Sequence, residues 1–168
     1  MNTSTAPFDA HYYSLPSLAL RGLQPADTAL ISTTLATLDP WRTLGSTATG
    51  LKQYLDGRDP ALKCFAVQVC AKTIGVVGVR FPWLRGPYLE LLAVFPPAQG
   101  QGVGQTILAW MEKEALLAAT NLWTVTSEFN TPARAFYQAA QFVEVASLPD
   151  LVAKGYNEIL LRKPLSPQ

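Results

Sequence analysis

The sequence predicts an α/β fold: one mixed, mostly antiparallel sheet of about six to seven strands with helices on both faces. Three observations lead there. Short runs rich in Val, Ile and Leu alternate with longer segments of helical period. Two neighbouring strands are joined too tightly for anything but an antiparallel pair. A strand–helix–strand succession in the second half requires a crossover, and with it a parallel step.

Each element has its own signal. Residues 1–14 read as a loose polar lead, and Leu18–Arg21 as a short strand. Pro25 suits a first helical turn; Leu30, Ile31, Leu35 and Leu38 follow at helical spacing until Asp39-Pro40 stops the run. A second helix covers Thr47 to Leu55 and ends in the breakers DGRDP. Lys63–Cys70 sets Phe65, Val67 and Val69 on one face; Ile74–Phe81 is β-branched with glycines, and Ala71-Lys72-Thr73 joins the two. Tyr88–Phe95, YLELLAVF, reads as a strand buried on nearly both faces, ended by Pro96-Pro97, which have no amide proton to donate. A long helix from Val103 to Ala119 carries the stripe Ile107, Leu108, Met111, Ala115 and Leu116. Leu122–Thr126 is a strand, and Thr131-Pro132 opens a helix through Ala140. Phe142–Ala146 and Glu158–Arg162 close the chain as strands. No repeat, low-complexity tract or linker divides it, so residues 1–168 are expected to form a single domain.

Composition narrows the function. Lys+Arg 13 against Asp+Glu 12 gives a net charge of +1, which argues against a general nucleic-acid binder. Charged residues make up only 15%, against roughly 25% in soluble domains, which is compatible with part of the surface being covered in a homodimer or by a partner. Cys64 and Cys70 fall in one predicted strand, about 20 Å apart and beyond disulfide reach, as core thiols of a reducing compartment would be. Leu91 to Met111 is uncharged, but prolines, glycines and glutamines interrupt it, so no membrane span is expected. The start MNTSTAPFDAHYYS lacks the basic and apolar regions of a signal peptide. The cytoplasm is the expected compartment.

The informative segment is Val94-Phe-Pro-Pro-Ala-Gln-Gly-Gln-Gly-Val-Gly104, between a strand and a long helix. Gly100, Gly102 and Gly104 let the backbone approach a ligand where the helix start offers unpaired amides and its positive dipole end. No Lys or Arg lies in the segment, so an anion cradle here would be built of amides. The dinucleotide fingerprint fails at Gln105, and no GK[ST] follows for a P-loop. Taken alone, the loop fits a ligand-free turn equally well.

VFPPAQGQGVG resembles the coenzyme A signature of the GNAT N-acetyltransferase superfamily, with Val94, Pro96, Gln99, Gly102 and Gly104 at its positions. Asn130-Thr-Pro-Ala133-Arg-Ala-Phe136-Tyr137-Gln-Ala-Ala-Gln141-Phe142 resembles a second segment of that family, with Gln141 where a glycine is usual. The resemblance implies a GNAT-like sheet splayed in the middle to admit CoA, and acetyl-CoA as co-substrate without a metal. It implies that amides of Gln99, Gly100, Gln101, Gly102, Val103, Gly104 and Gln105 hold the pyrophosphate, and that main-chain groups of Leu92, Ala93 and Val94 pair with the pantetheine arm. Asn130, Ala133 and Tyr137 would complete the cofactor site, and Arg134 is either a phosphate contact or a solvated arginine.

Two residues are expected to carry chemistry. Tyr137 resembles the phenol that protonates the departing thiolate, although a Tyr at this spacing also fits a satisfied core position. Glu90 is the one carboxylate inside LELLAVF; it is read as a desolvated base or as a plain ion pair, with Glu128 in reserve. Trp41, Trp83 and His11 are left out of the site. At pH 7 roughly 15% of an α-amine is neutral, against about 0.04% of a lysine amine. The expected activity is therefore direct acetyl transfer to a small amine or a peptide N-terminus, the alternatives being another acyl-CoA or a CoA-binding regulator without turnover.

Overall fold

The computed structural model describes residues 6–165. They form an α/β fold of eight strands and four α-helices, with strand order β1-β2-β3-β4-β5-β6-β8-β7. The strands are β1 (Tyr12–Ser14), β2 (Ala19–Gly22), β3 (Leu62–Val69), β4 (Lys72–Trp83), β5 (Gly86–Val94), β6 (Asn121–Ser127), β7 (Val143–Pro149) and β8 (Asn157–Pro164). The helices are α1 (Pro25–Leu35), α2 (Ala48–Leu55), α3 (Val103–Ala115) and α4 (Thr131–Ala139). The described sheet has one strand more than the upper expectation, because β1 lies inside the supposed lead.

The chain divides into two compact units. Among the described residues, one holds 6–23, 59–122 and 165; the other holds 24–58 and 123–164. In the first unit β1 to β5 pair with their sequence neighbours, all antiparallel. The β3–β4 turn is tighter than expected: Cys70 and Ala71, both at positive φ, suffice, which is the primed hairpin geometry that matches strand twist. Cys70 therefore sits exposed in a turn rather than in the core, while Cys64 remains largely covered on β3.

The lead is tied down. Phe8 is fully buried, its ring meeting Phe81 and Trp110 edge-on, and its amide donates to Glu114 Oε2 at 3.1 Å. Tyr13 packs on Phe65 and Trp110 and donates its hydroxyl to the same Glu114 oxygen. Periodicity could not show this, because a single aromatic in a polar run has no pattern. Residues 1–5 lie outside the described residues. On α3 the buried stripe is Val103, Ile107, Leu108, Trp110, Met111 and Ala115, and the helix stops before Leu116, which is exposed.

In the second unit Thr47 caps α2 by accepting from the Gly50 amide. On α1, Ile31 and Leu35 are buried but Leu30 faces outward. β7 and β8 form an antiparallel pair with one register shift between Glu144 and Ala146. Among the described residues no helix is long and apolar enough to cross a membrane.

Candidate functional site

In the first unit the predicted loop is shaped by its own glutamines. β5 ends at Val94, and Pro96–Ala98 makes one 3₁₀ turn. Gln99 Nε2 then donates to the Val94 carbonyl at 2.8 Å, and Gln101 Nε2 to the Pro97 carbonyl at 3.0 Å. Gly100 and Gly102 take φ values of 73° and 79°, where a Cβ would be strained although each would meet nothing within 4 Å. Gly102 ends this run as the N-cap of α3, and no side chain caps the helix. The first-turn amides of Val103, Gly104 and Gln105 thus have no intrahelical acceptor, and they sit behind open space at the positive end of the dipole. That is the chemistry of an anion cradle.

On β5 the burial alternates, which corrects the two-sided burial expected of this strand. Leu89, Leu91 and Ala93 are buried, whereas Tyr88, Glu90, Leu92 and Val94 keep part of their surface. The register steps from Leu91 opposite Gly78 to Leu89 opposite Val79, so Glu90 has no opposite residue and forms a β-bulge. Its carboxylate meets Arg80 two-pronged: Arg80 Nε donates to Oε2 at 2.5 Å and Nη2 to Oε1 at 3.2 Å. Arg80 Nη1 also donates to Asp59. The two carboxylates hold the guanidinium above its usual range, and Arg80 holds Asp59 below that of a carboxyl. Glu90 therefore occupies the ion pair that the sequence left as its alternative, and acting as a base would require it to leave Arg80. Beside this cluster, burial pushes the Cys64 thiol up to about 12, with the Glu90 charge adding to the effect.

In the second unit Asn130 caps α4: its Oδ1 accepts from the Ala133 amide at 3.3 Å, and its own amide donates to Ser127 O. This Asx cap uses Oδ1 and leaves Nδ2 outside the cap hydrogen bond. Tyr137, one helical turn beyond Ala133, is 7% exposed between Phe136 and Phe142. Burial pushes its phenol up to about 12, and a hydrogen bond with Thr124 offsets part of that shift. Arg134 does not stand free: it donates to Glu144 Oε1 through two nitrogens and to the Glu128 carbonyl. Glu128, the reserve carboxylate, accepts from Asn157 Nδ2 at 3.0 Å. A groove of about 780 Å³ lies along α4 and β7, lined by Arg134, Gln138, Gln141 and Glu144 among others; apart from Arg134, whose alternative reading was a phosphate contact, its lining holds no residue predicted to bind cofactor.

Gln141 explains how the helix ends without the usual glycine. It takes φ 70°, its amide donates to Gln138 O, and the Phe142 amide donates to Tyr137 O. The Schellman closure is complete, with a Cβ carried in a left-handed position.

Sequence reasoning missed one carboxylate. Glu158, at the start of β8, is 3% exposed and accepts from Ser127 Oγ at 2.8 Å. Burial raises it above the usual carboxyl range, and the Ser127 hydroxyl opposes that rise. The available signal was the one that singled out Glu90: a lone acid beside the apolar run ILL.

The family model described as the acetyltransferase (GNAT) family matches residues 30–142. No curated protein matches the chain by sequence. Among solved structures, an acetyltransferase from Thermus thermophilus superposes with TM-score 0.71 at 22% identity, covering 91% of this chain and 100% of the other. The ribosomal-protein-S18-alanine N-acetyltransferase of Escherichia coli gives 0.68 at 19%, covering 89% and 94%. Spermidine N-acetyltransferase of Vibrio cholerae, solved with CoA and spermine, gives 0.68 at 17%, covering 89% and 96%. At these identities the structures establish likeness of fold.

Proposed function

The chain belongs to the GNAT acetyltransferase family of acetyl-CoA-dependent acyltransferases, and from that premise we propose that it moves an acetyl group directly from acetyl-CoA to a primary amine of a small molecule or a peptide N-terminus. The observation that carries this reading is the uncapped start of α3 behind two left-handed glycines, which presents amides to an anion without any cation. In this reading the amides of Gly100 to Gln105 take the pyrophosphate; the Gln99 amide, expected to join them, already donates to the Pro96 carbonyl at 3.2 Å. Leu92, Ala93 and Val94 extend their strand to the pantetheine arm, and Asn130 Nδ2 adds one donor. The fold relatives that act on a ribosomal-protein alanine and on spermidine support an amine acceptor. We take the cytoplasm as its compartment, in keeping with two free cysteines.

Acyl-CoA supplies an activated acyl carbon; the chain's residues handle protons. As the amine nitrogen bonds to that carbon and the C–S bond breaks, the amine loses one proton and the sulfur gains one. The Tyr137 phenol, at about 12, remains protonated through the working range and so can donate. Against a free thiol near 8.5 that donation would run uphill by roughly 5 kcal/mol. Burial disfavours the charged form of a thiol, so a thiolate leaving into dry surroundings is more basic than a free one, which lowers that barrier. An α-amine is easier to deprotonate than a lysine by about 2.5 units, roughly 3.5 kcal/mol, which favours peptide N-termini and other weakly basic amines.

The test has two arms. Acetyl-CoA added to the protein should raise Tm with increasing ligand, and thiol release measured over a panel of amines and peptides should show turnover. Firm binding with silence across the panel would replace the enzyme by a CoA-binding regulator; absence of any Tm shift would remove the cofactor assignment. Running propionyl- and succinyl-CoA beside acetyl-CoA settles the acyl group.

A further inference from the structure

Of the carboxylates considered for the amine's proton, Glu90 is chelated by Arg80 and Glu128 is held at the surface by Asn157. Glu158 differs from both. Among the described residues it is the one charged side chain in the buried set, and its hydrogen-bond partner is a hydroxyl, not a cation. Its place is fixed from two sides. The Glu128 amide donates to Asn157 O while Asn157 Nδ2 donates back to Glu128, pinning the start of β8 to the end of β6. Ser127 then joins two functions in one residue: its carbonyl accepts from the amide of Asn130, the cofactor candidate, and its hydroxyl donates to Glu158.

A carboxylate buried without a counter-cation is costly to keep charged and therefore ready to accept a proton. Burial raises its titration range and the Ser127 hydroxyl opposes that rise. We infer that Glu158, held by Ser127, is the general base that takes the proton of the acceptor amine. This rests on the acetyl-transfer reading above. In the step, the nitrogen lone pair forms the N–C bond and the C–S electrons leave with sulfur. The proton shed by nitrogen passes to the Glu158 carboxylate, directly or through one water, and Tyr137 protonates the thiolate; both residues then re-equilibrate with solvent.

The experiment compares wild type, Glu158→Gln, Ser127→Ala and Glu90→Gln for acetyl-CoA binding by Tm shift and for amine acetylation across pH. Glu158→Gln should bind acetyl-CoA as wild type does and lose at least 100-fold in kcat, together with the acidic limb of the profile. Ser127→Ala should keep that limb but move its midpoint to higher pH, since the hydroxyl favours the charged carboxylate; a merely structural pair would not move it. Glu90→Gln should keep both the limb and its midpoint. A Glu158→Gln variant that is folded, active and unchanged in pH profile overturns the assignment, and so does a limb lost in Glu90→Gln instead. Should Glu158→Gln fail to fold, the midpoint in Ser127→Ala decides: no displacement overturns the assignment. A wild type that binds acetyl-CoA but acetylates nothing overturns the acetyl-transfer reading itself, which separates the two failures.

Discussion

Helices α3 and α4 begin in opposite ways. α3 starts at Gly102 in a left-handed conformation with no side chain on its amides, whereas α4 starts at Asn130, whose Oδ1 already accepts from the Ala133 amide. Both are helix N-termini with the same dipole and the same orphan donors. One leaves its first-turn amides without a side-chain cap; the other satisfies the Ala133 amide internally and carries a buried phenol one turn beyond it. Under the proposed function, the difference teaches that an anion site at a helix start is made by withholding a cap, and a positioned catalytic group by supplying one.

That division of labour can be broken at four points. The largest expected effect is from Tyr137→Phe: kcat should fall about 100-fold while acetyl-CoA affinity changes less than about twofold, measured by steady-state kinetics and titration calorimetry. Equal losses in both quantities would mean that α4 binds rather than works. Gly102→Val comes next. It forces a β-branched residue to φ 79° and fills the open space before the amides. Acetyl-CoA Kd should rise more than about tenfold with saturated kcat little altered; intact affinity would show that the cradle lies elsewhere.

Asn130→Ala should remove about 1 kcal/mol of cap stability, seen as a Tm lower by about 3 °C, together with a higher KM for acetyl-CoA. A Tm loss with KM unchanged would leave Asn130 a cap and nothing more. The smallest effect sharpens the other end of α4. Gln141→Gly relieves a left-handed Cβ but loosens the unfolded chain, so Tm should rise by only about 2 °C. A lower Tm would mean that the Gln141 side chain contributes more than its backbone strain costs.

Much of this comparison is visible along the chain. Gly100, Gly102 and Gly104 after Pro96-Pro97, and Thr131-Pro132 after Asn130, mark two helix starts by local chemistry, and local chemistry is what a sequence prints directly. What Glu90 touches was not legible, because Arg80 lies on another strand and a bulge decides which way the carboxylate faces. Glu158 was passed over for the same reason. Its solvent exclusion comes from neighbours far away in sequence, and its partner Ser127 is 31 residues distant. Phe8 shows the converse error: a polar-looking lead holds a fully buried ring because Trp110 and Phe81 are folded around it.

By itself the sequence determined the succession of elements, the loop that can cradle an anion, the position of Tyr137 and the family resemblance, since all of these depend on residues within a few positions of each other. Only the tertiary structure decided which carboxylates are paired and which is merely buried, where the lead is anchored, and that the strand of Glu90 alternates instead of being covered on both sides. Burial and ion pairing are sums over contacts between distant segments. A chain written in one dimension states which groups can ionise, and the fold states at what cost.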